Sequence, residues 1–398
     1  MSNGRSKLQN IVHAVVTFLV LSLPGTRHCS ILCGAEGDEV STDQTTNRWH
    51  LREPFWNSRV VYDESVLFLS DDKLGGDSNR AASASLLLLP SRILKVTSAD
   101  GTSVYESERD YVLLEGERTL RLAEGSRIKF LKTSDLYPPL GTSNSIAHRA
   151  GHADQGVLFD NGHWFHDHQV AITYETNEEW AGYRPAVAHE SLKRTLDRLK
   201  HGNPVTIAVS GDSITFGLNA SKLTGASPHQ PIYPELFAAQ LRAVSKSSIT
   251  MVNRAVGGWR LENGLEDLNV LLECKPDLIL IAYGMNHFGS RDSAGFKKLQ
   301  TTMLERIHKQ LPEAEVILVA PMHGNVHWVH TPAEQFESHR LALASLVGQQ
   351  VALADLTTLW GEMLERKRDI DLTGNGVNHP NDFGHRVYAS ALLGLLLE

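Results

Sequence analysis

Three cysteines in 398 residues are too few for a disulfide framework, and two of them, Cys29 and Cys33, sit close to the N-terminus. Positive charge is not in surplus either. Lys and Arg number 38 against 46 Asp and Glu, a formal net charge of −8. That balance gives no basic footprint for nucleic acid. A long hydrophobic run is also missing. The apolar stretch from Ile11 to Leu23 is interrupted by His13 and Thr17, so no membrane span is expected in the mature form. What remains is ample hydrophobic residue content, 41%, in a chain whose length suits two domains better than one. Seven Trp and nine Tyr suit a sugar-facing surface and an ordinary core equally well.

The N-terminus carries a pattern of its own. Arg5 and Lys7 precede the apolar run, small residues including Gly34 and Ala35 follow it, and Glu36 to Glu39 are largely acidic. That is a signal-peptide layout over 1–35, and it predicts a secreted or periplasmic protein. A buried or uncleaved hydrophobic helix is the alternative. Lipid attachment at Cys33 fits poorly with Ser30-Ile31-Leu32 before it. Cleavage near Ala35 leaves Cys274 as the single cysteine, so no internal disulfide is expected, and two sizeable domains need none. Residues 36–50 are polar and form a linker.

From 51 to 190 the pattern is one of short apolar or alternating runs with turn residues between them. Examples are Val66–Leu69, Ser85–Leu89, Ile93–Val96, Tyr111–Leu114, Leu120–Leu122, Ile128–Phe130 and Val170–Tyr174. Helical periodicity is absent, and the spacing predicts a jelly-roll-like β-sandwich. His148, His152, His163, His166 and His168 crowd this region. A metal site would need ligands from several elements, so these are taken as structural histidines. No metal and no cofactor is expected. The period changes at Ser191–Lys200, which has helical spacing and ends at Gly202-Asn203-Pro204.

Beyond that point strands and helices alternate through 191–398. Strands are expected at Val205–Val209, Ile249–Val252, Leu278–Ala282, Val316–Ala320 and Val351–Ala354. Helices are expected at Pro234–Val244, Glu262–Glu273, Ala294–Leu311, Ala333–Val347 and Gly384–Leu397. This alternation implies an α/β domain of three layers with a parallel sheet, whose active site lies at the carboxyl ends of the strands.

Four blocks fall at those ends. Gly211-Asp212-Ser213 follows the first strand. Glycine permits a tight turn there, and a serine just beyond a strand can present its hydroxyl as a nucleophile. An ordinary strand-to-loop turn uses the same residue types. Asn253 to Gly258 follows the second strand, Gly284-Met285-Asn286-His287 the third, and His379-Pro380 precedes the last helix. Acyl transfer needs a nucleophile, a base and donors aimed at the developing oxyanion. Ser213, His379 and the group formed by the Ser213 amide, the Gly258 amide and the Asn286 side chain can supply them.

In this order and at these positions the blocks resemble the SGNH (GDSL) hydrolase superfamily. The resemblance covers about 200 residues, essentially the second domain. It implies that Ser213 attacks an ester carbonyl, that His379 serves as base and then acid, and that Gly258 (with Gly257 as fallback) and Asn286 stabilise the oxyanion beside the Ser213 amide. Asp212 is expected to support the active-site loops. Two departures stand out. The superfamily usually has Asp three residues before the histidine, where this chain has Gly376, with Asn375 beside it. Asp371 and Asp382 are near but lack the spacing, so Ser213 and His379 are expected to act as a dyad, with a backbone carbonyl or another side chain orienting the imidazole. His287 stands where Asp is common, and loop support is its expected role. The histidine block resembles bacterial polysaccharide deacetylases of this superfamily, which often carry an N-terminal β-sandwich. The resemblance therefore implies an exported O-acetylesterase acting on acetylated carbohydrate. A lipase or thioesterase on longer acyl chains, and a decayed carbohydrate-binding protein, are the alternatives. His323, His327 and His330 are expected to hold a loop or line the substrate mouth. Trp259 and Trp328 are expected to stack on sugar or pack. Cys274, at a helix end, is expected to be structural.

Overall fold

The computed structural model describes residues 51–71 and 82–397. The expected signal segment and linker lie outside the described residues. Among the described residues ten strands precede the first α-helix: β1 (Val60–Val66), β2 (Phe68–Ser70), β3 (Ser83–Ser85), β4 (Pro90–Ser98), β5 (Tyr111–Leu113), β6 (Thr119–Leu122), β7 (Phe130–Lys132), β8 (Ser145–Ile146), β9 (Val157–Leu158) and β10 (Val170–Thr176). β10 lies between β1 and β4 in an antiparallel sheet, and a second sheet runs β5-β6-β3-β2-β7. β10 shows why these segments are strands. Its buried and half-buried residues alternate strictly, with Val170, Ile172 and Tyr174 turned inward, as a period of two requires. Inward residues of both sheets, among them Val66, Ala84, Leu120 and Ile172, belong to one apolar cluster. The N-terminal region is thus β-rich, as the run spacing predicts.

Two expected strands are corrected: Ile128–Phe130 is strand only at Phe130, where β7 begins, and the second is a run of leucines. Ser85–Leu89 is strand only at Ser85, and Leu86, Leu87 and Leu88 are all fully buried in succession. Consecutive side chains of a strand point to opposite faces, so three inward leucines require a bent backbone. Its amides are satisfied elsewhere. Leu86 N–H donates to Arg118 O, Leu87 N–H to Glu64 Oε1, Leu88 N–H to Tyr174 Oη and Leu89 N–H to Glu178 Oε2.

Residues 177–192 carry no strand or helix, and the expected boundary at 190/191 falls there. Helix α1 (Lys193–His201) follows. Then come β11 (Val205–Gly211), α2 (Ser213–Phe216), α3 (Ser221–Thr224), α4 (Tyr233–Val244), β12 (Ile249–Asn253), α5 (Leu261–Leu272), β13 (Leu278–Ala282), α6 (Ser293–Gln310), β14 (Glu315–Ala320), α7 (Glu334–Ala344), β15 (Val351–Asp355), α8 (Leu356–Leu364), α9 (Asp369–Leu372) and α10 (Asp382–Leu393). The five strands form one parallel sheet in the order β12-β11-β13-β14-β15. Every residue of β13 and of β14 is buried, as helices on both faces require. This is the α/β architecture expected for the second domain.

The two regions share a core. The apolar cluster that holds Trp56 and Tyr174 also holds Trp360 and Tyr388. The join is polar as well. Lys367 and Glu64, both fully buried, form an ion pair at 2.5 Å. Asp371 accepts from Leu67 N–H at 2.8 Å, and Gln169 donates to Ile370 O and Thr373 O at 2.8 Å each. The β-rich region therefore grips the segment that leads into the His379 loop.

Candidate active site

Ser213 opens α2 directly after β11, so its hydroxyl stands at the carboxyl edge of the sheet. Asp212 is the N-cap, accepting the Ile214 amide on Oδ1 at 3.0 Å. Such a cap fixes where the helix starts, and hence where Ser213 points. Burial pushes the Asp212 carboxyl up to about 7.

His379 arrives from the other end of the domain. Residues 373 to 380 form a closed loop, pinned by the Gly374 N–H to His379 O bond at 2.9 Å and by a bridge between Thr373 and Pro380. Inside it, Asn375 Oδ1 accepts three amides, from Val377, Asn378 and His379, at 2.9, 2.9 and 3.1 Å. His379 Nε2 lies 3.0 Å from Ser213 Oγ. The structure thus brings together two side chains 166 positions apart in the chain. Both are buried, and burial holds the imidazole well below its usual range, down to about 4. At neutral pH the ring is uncharged, the state in which it can take a proton.

The donors expected for the oxyanion converge on the same edge. Ser213 is the first residue of α2, so its N–H has no partner inside the helix. Gly258 lies in the turn after β12 with φ +79°, and its amide makes no hydrogen bond among the described residues. Asn286 follows β13; its Nδ2 donates to Trp259 O at 2.8 Å, and its carbonyl accepts from Arg260 at 2.7 Å. The Asn286 amide is therefore tied to the Gly258-Trp259 turn. One of its two N–H groups is used in the tie, and the other remains for a ligand.

Gly376 accounts for the missing carboxylate. Its φ is +79°, and an added Cβ would collide with the Phe165 ring and stand 2.7 Å from Leu158 O. Both neighbours belong to the β-rich region, so the usual Asp has no room. Asp371 and Asp382 do not take its place. Asp371 binds Leu67 and Arg368, and Asp382 Oδ1 accepts from Ser221 N–H. The group on the far ring nitrogen is one the sequence reasoning missed: Asn219 Oδ1, 2.8 Å from His379 Nδ1. Asn219 has φ +66° in the turn after α2. An asparagine beyond the Ser213 block signals only a turn, which is why it drew no notice.

Several other histidines contact protein groups. His287 contacts Glu262 Oε2 at 3.1 Å beneath the Asn286 loop, and burial leads the effects that lower it to about 4. His166 binds Ser227 O at 2.7 Å, and His168 binds Trp164 O at 2.7 Å while stacking on that indole. His323 stacks on Phe336, and His327 meets Tyr137 edge to face. Trp328 bonds to Ala147 O, and Trp259 packs against the second apolar cluster. Cys274 is half-buried and donates to Leu271 O. Among the described residues no three His, Cys, Asp or Glu side chains are grouped to hold a metal, and no helix is long and apolar enough to cross a membrane. A cavity of about 1230 Å3 lies behind the His379 loop, lined by Tyr137, Asn325, His327 and Gly376, but by neither Ser213 nor His379.

With this geometry in place, comparison with known proteins gives a concordant result. Residues 209–387 match the GDSL-like lipase/acylhydrolase family. No functionally curated relative matches the chain. Similar solved structures include a two-domain esterase active on acetylated mannans, co-crystallized with mannopentaose, at 21% identity and a TM-score of 0.44 over 54% of this chain and 55% of that one. Others are the lipase Lip_vut3 from a goat rumen metagenome (16% identity, TM-score 0.40, 48% of this chain and 97% of that one) and a catalytic mutant of Axe2, an acetylxylan esterase from Geobacillus stearothermophilus (18%, 0.41, 50% and 96%). The chain spans about half the length of the two-domain esterase it matches.

Proposed function

We propose that this chain, whose residues 209–387 match the GDSL-like lipase/acylhydrolase family, is an exported serine ester hydrolase removing O-acyl groups, chiefly O-acetyl, from carbohydrate. The observation that carries the ester-hydrolase reading is the 3.0 Å approach of His379 Nε2 to Ser213 Oγ. In this reading Ser213 Oγ attacks the ester carbonyl carbon and passes its proton to Nε2. The carbonyl oxygen becomes an oxyanion facing the Ser213 and Gly258 amides and the free N–H of Asn286. Collapse expels the alcohol, which takes the proton back from Nε2. Water then repeats both steps on the acyl-enzyme, releasing the acid and restoring Ser213. Losing one oxyanion donor in such sites typically costs about 10²–10³ in turnover.

The carbohydrate acetyl ester is the finer part of the proposal. It is supported by the likeness of the histidine block to polysaccharide deacetylases. Export rests on the layout of residues 1–35 and is tested by sequencing the N-terminus of the mature protein. For activity, the full chain and Ser213→Ala are assayed on p-nitrophenyl esters of increasing chain length and on acetylated xylan and mannan. Release of acetate by the wild type alone is the expected result. Equal turnover by the two proteins removes the ester-hydrolase reading. A preference for long acyl chains replaces the carbohydrate substrate with a lipid one.

A further inference from the structure

We propose that Asn219 is the positioning residue for His379, and that it is set in that role by a backbone carbonyl, Gly162 O, from the β-rich region. The proposal rests on the ester-hydrolase reading above. For Nε2 to accept the Ser213 proton, the hydrogen of the neutral ring must sit on Nδ1, and Nδ1–H then needs an acceptor. Two amide side chains lie within reach: Asn219 Oδ1 at 2.8 Å and Asn375 Nδ2 at 3.0 Å. The hydrogen bonds around each decide which one serves.

Asn375 cannot serve. Its oxygen already accepts three backbone amides, which fixes its sense and leaves only a donor towards the ring. One of its two N–H groups is taken by Asn378 Oδ1 at 2.9 Å, and an amide NH2 of either kind can only donate, so it cannot receive Nδ1–H. Asn219 is fixed in the opposite sense. Its Nδ2 donates to Gly162 O at 2.9 Å and lies 3.4 Å from Asp160 O. Carbonyl oxygens only accept, so Nδ2 must face them and Oδ1 must face His379. An amide flip, the usual ambiguity of asparagine, would set two acceptors against each other. The ring tautomer is thereby dictated by carbonyls from a loop outside the hydrolase domain.

The backbone is built for this contact. Asn219 is buried in a left-handed turn, a conformation asparagine tolerates better than most residues. Gly374 lets that turn lie against the His379 loop, since an added Cβ would stand 2.8 Å from Asn219 Cβ and 2.9 Å from its carbonyl oxygen. The 160–162 loop is braced in turn by Asp160 Oδ1, which accepts from Gly162 N–H at 2.7 Å.

An amide orients the imidazole without a charge, and this sets a measurable signature. Ionisable groups lie on each element packed around the ring. Asp160 is turned onto Gly162 N–H, Asp382 onto Ser221 N–H and Asp212 onto Ile214 N–H. The neighbouring His385 is itself held low, to about 3, by burial. None of these acts to raise His379. The acid limb of kcat/KM should therefore lie well below the ordinary imidazole range. Asn219→Asp places a carboxylate against Nδ1, and an opposite charge at that distance favours the imidazolium by about 1–3 pH units.

The test compares the full-length wild type, Asn219→Gly, Asn219→Asp and Ser213→Ala on p-nitrophenyl acetate across pH. Glycine keeps the left-handed turn and removes the acceptor. It should lower kcat by up to about 10⁴-fold, the loss found where a catalytic histidine is held in the wrong tautomer, with KM little changed. Asn219→Asp should move the acid limb upward by a unit or more. If both variants keep the wild-type kcat and pH profile while Ser213→Ala is dead, the proposal is overturned and the hydrolase reading stands. A fall in kcat for both variants with an unmoved acid limb also overturns it, since that marks a packing role. If the glycine variant does not fold, the pH profile of Asn219→Asp decides alone. Full activity in Ser213→Ala sinks the underlying reading instead.

Discussion

Replacing Lys367 by methionine should unfold the molecule far more easily than any surface change. The ammonium is fully buried and uses three acceptors: Glu64 Oε1 at 2.5 Å, Ser65 O at 3.0 Å and Ser85 O at 2.9 Å. Glu64 is equally buried and otherwise bound by the Tyr174 hydroxyl at 2.7 Å and Leu87 N–H at 2.9 Å. Methionine is unbranched and only one heavy atom shorter than lysine, so the loss is chiefly electrostatic rather than a cavity. It leaves a buried carboxylate with two neutral donors and no counter-charge. Removing one partner from such a pair typically costs about 3–5 kcal/mol, a large share of the roughly 5–15 kcal/mol of a folded domain. The assay is denaturant unfolding followed by tryptophan fluorescence, comparing midpoints at constant slope. Glu64→Gln in the Lys367→Met background removes the orphan charge. The double variant should therefore be more stable than Lys367→Met by about 1–3 kcal/mol, the size of coupling expected between contacting groups. A Lys367→Met protein within about 1 kcal/mol of wild type, or strictly additive losses, would refute the reasoning. The pair bridges β1 to the segment before α9, so its loss should also loosen the approach to the His379 loop.

The parts of this architecture legible in the sequence are those fixed by local pattern. β13 lies at Leu278–Ala282 as expected, because a strand covered on both faces is an unbroken apolar run. The other four parallel strands fall within two residues of their expected ends for the same reason. Ser213 and His379 could be singled out in the sequence because one directly follows an expected strand and the other sits in a Gly- and Asn-rich block before the last helix. Helix α8 was not expected. It begins with no connecting loop, and Asp355 serves as both the last residue of β15 and the cap that accepts from Thr358 N–H. No turn residue marks that junction. Ser85–Leu89 misled because four successive leucines look like a strand until the groups that take their amides are known. Asn219 was invisible for a deeper reason. An imidazole can be oriented from any element that reaches it, and here the choice depends on how the 160–162 loop meets the turn after α2. That is a tertiary contact with no periodicity and no spacing of its own.

Two substitutions probe the site further. Asp212→Asn should flatten the pH dependence of stability while keeping the cap on Ile214 N–H. The folded carboxyl stays protonated up to about 7, whereas an unfolded one ionises near 3.9. Its stabilising effect is therefore fully present below about pH 4 and is lost as pH rises towards 7. Melting temperature against pH checks this, and an unchanged slope over that window would count against it. Gly376→Asp is the more demanding case, because it installs the carboxylate that the superfamily usually carries. If chain position alone mattered, it would complete a triad and raise kcat. The backbone argues otherwise. A Cβ at residue 376 meets the Phe165 ring and the Leu158 carbonyl, at a φ of +79° that disfavours side chains. Nδ1 of His379 already has Asn219. The loop must shift to admit the new side chain, and Asn375 and His379 shift with it. We expect a loss of about 1–3 kcal/mol in stability, as for other overpacked sites, together with lower kcat. A Gly376→Asp protein more active than wild type would mean that the loop carries more freedom than its contacts with the β-rich region allow.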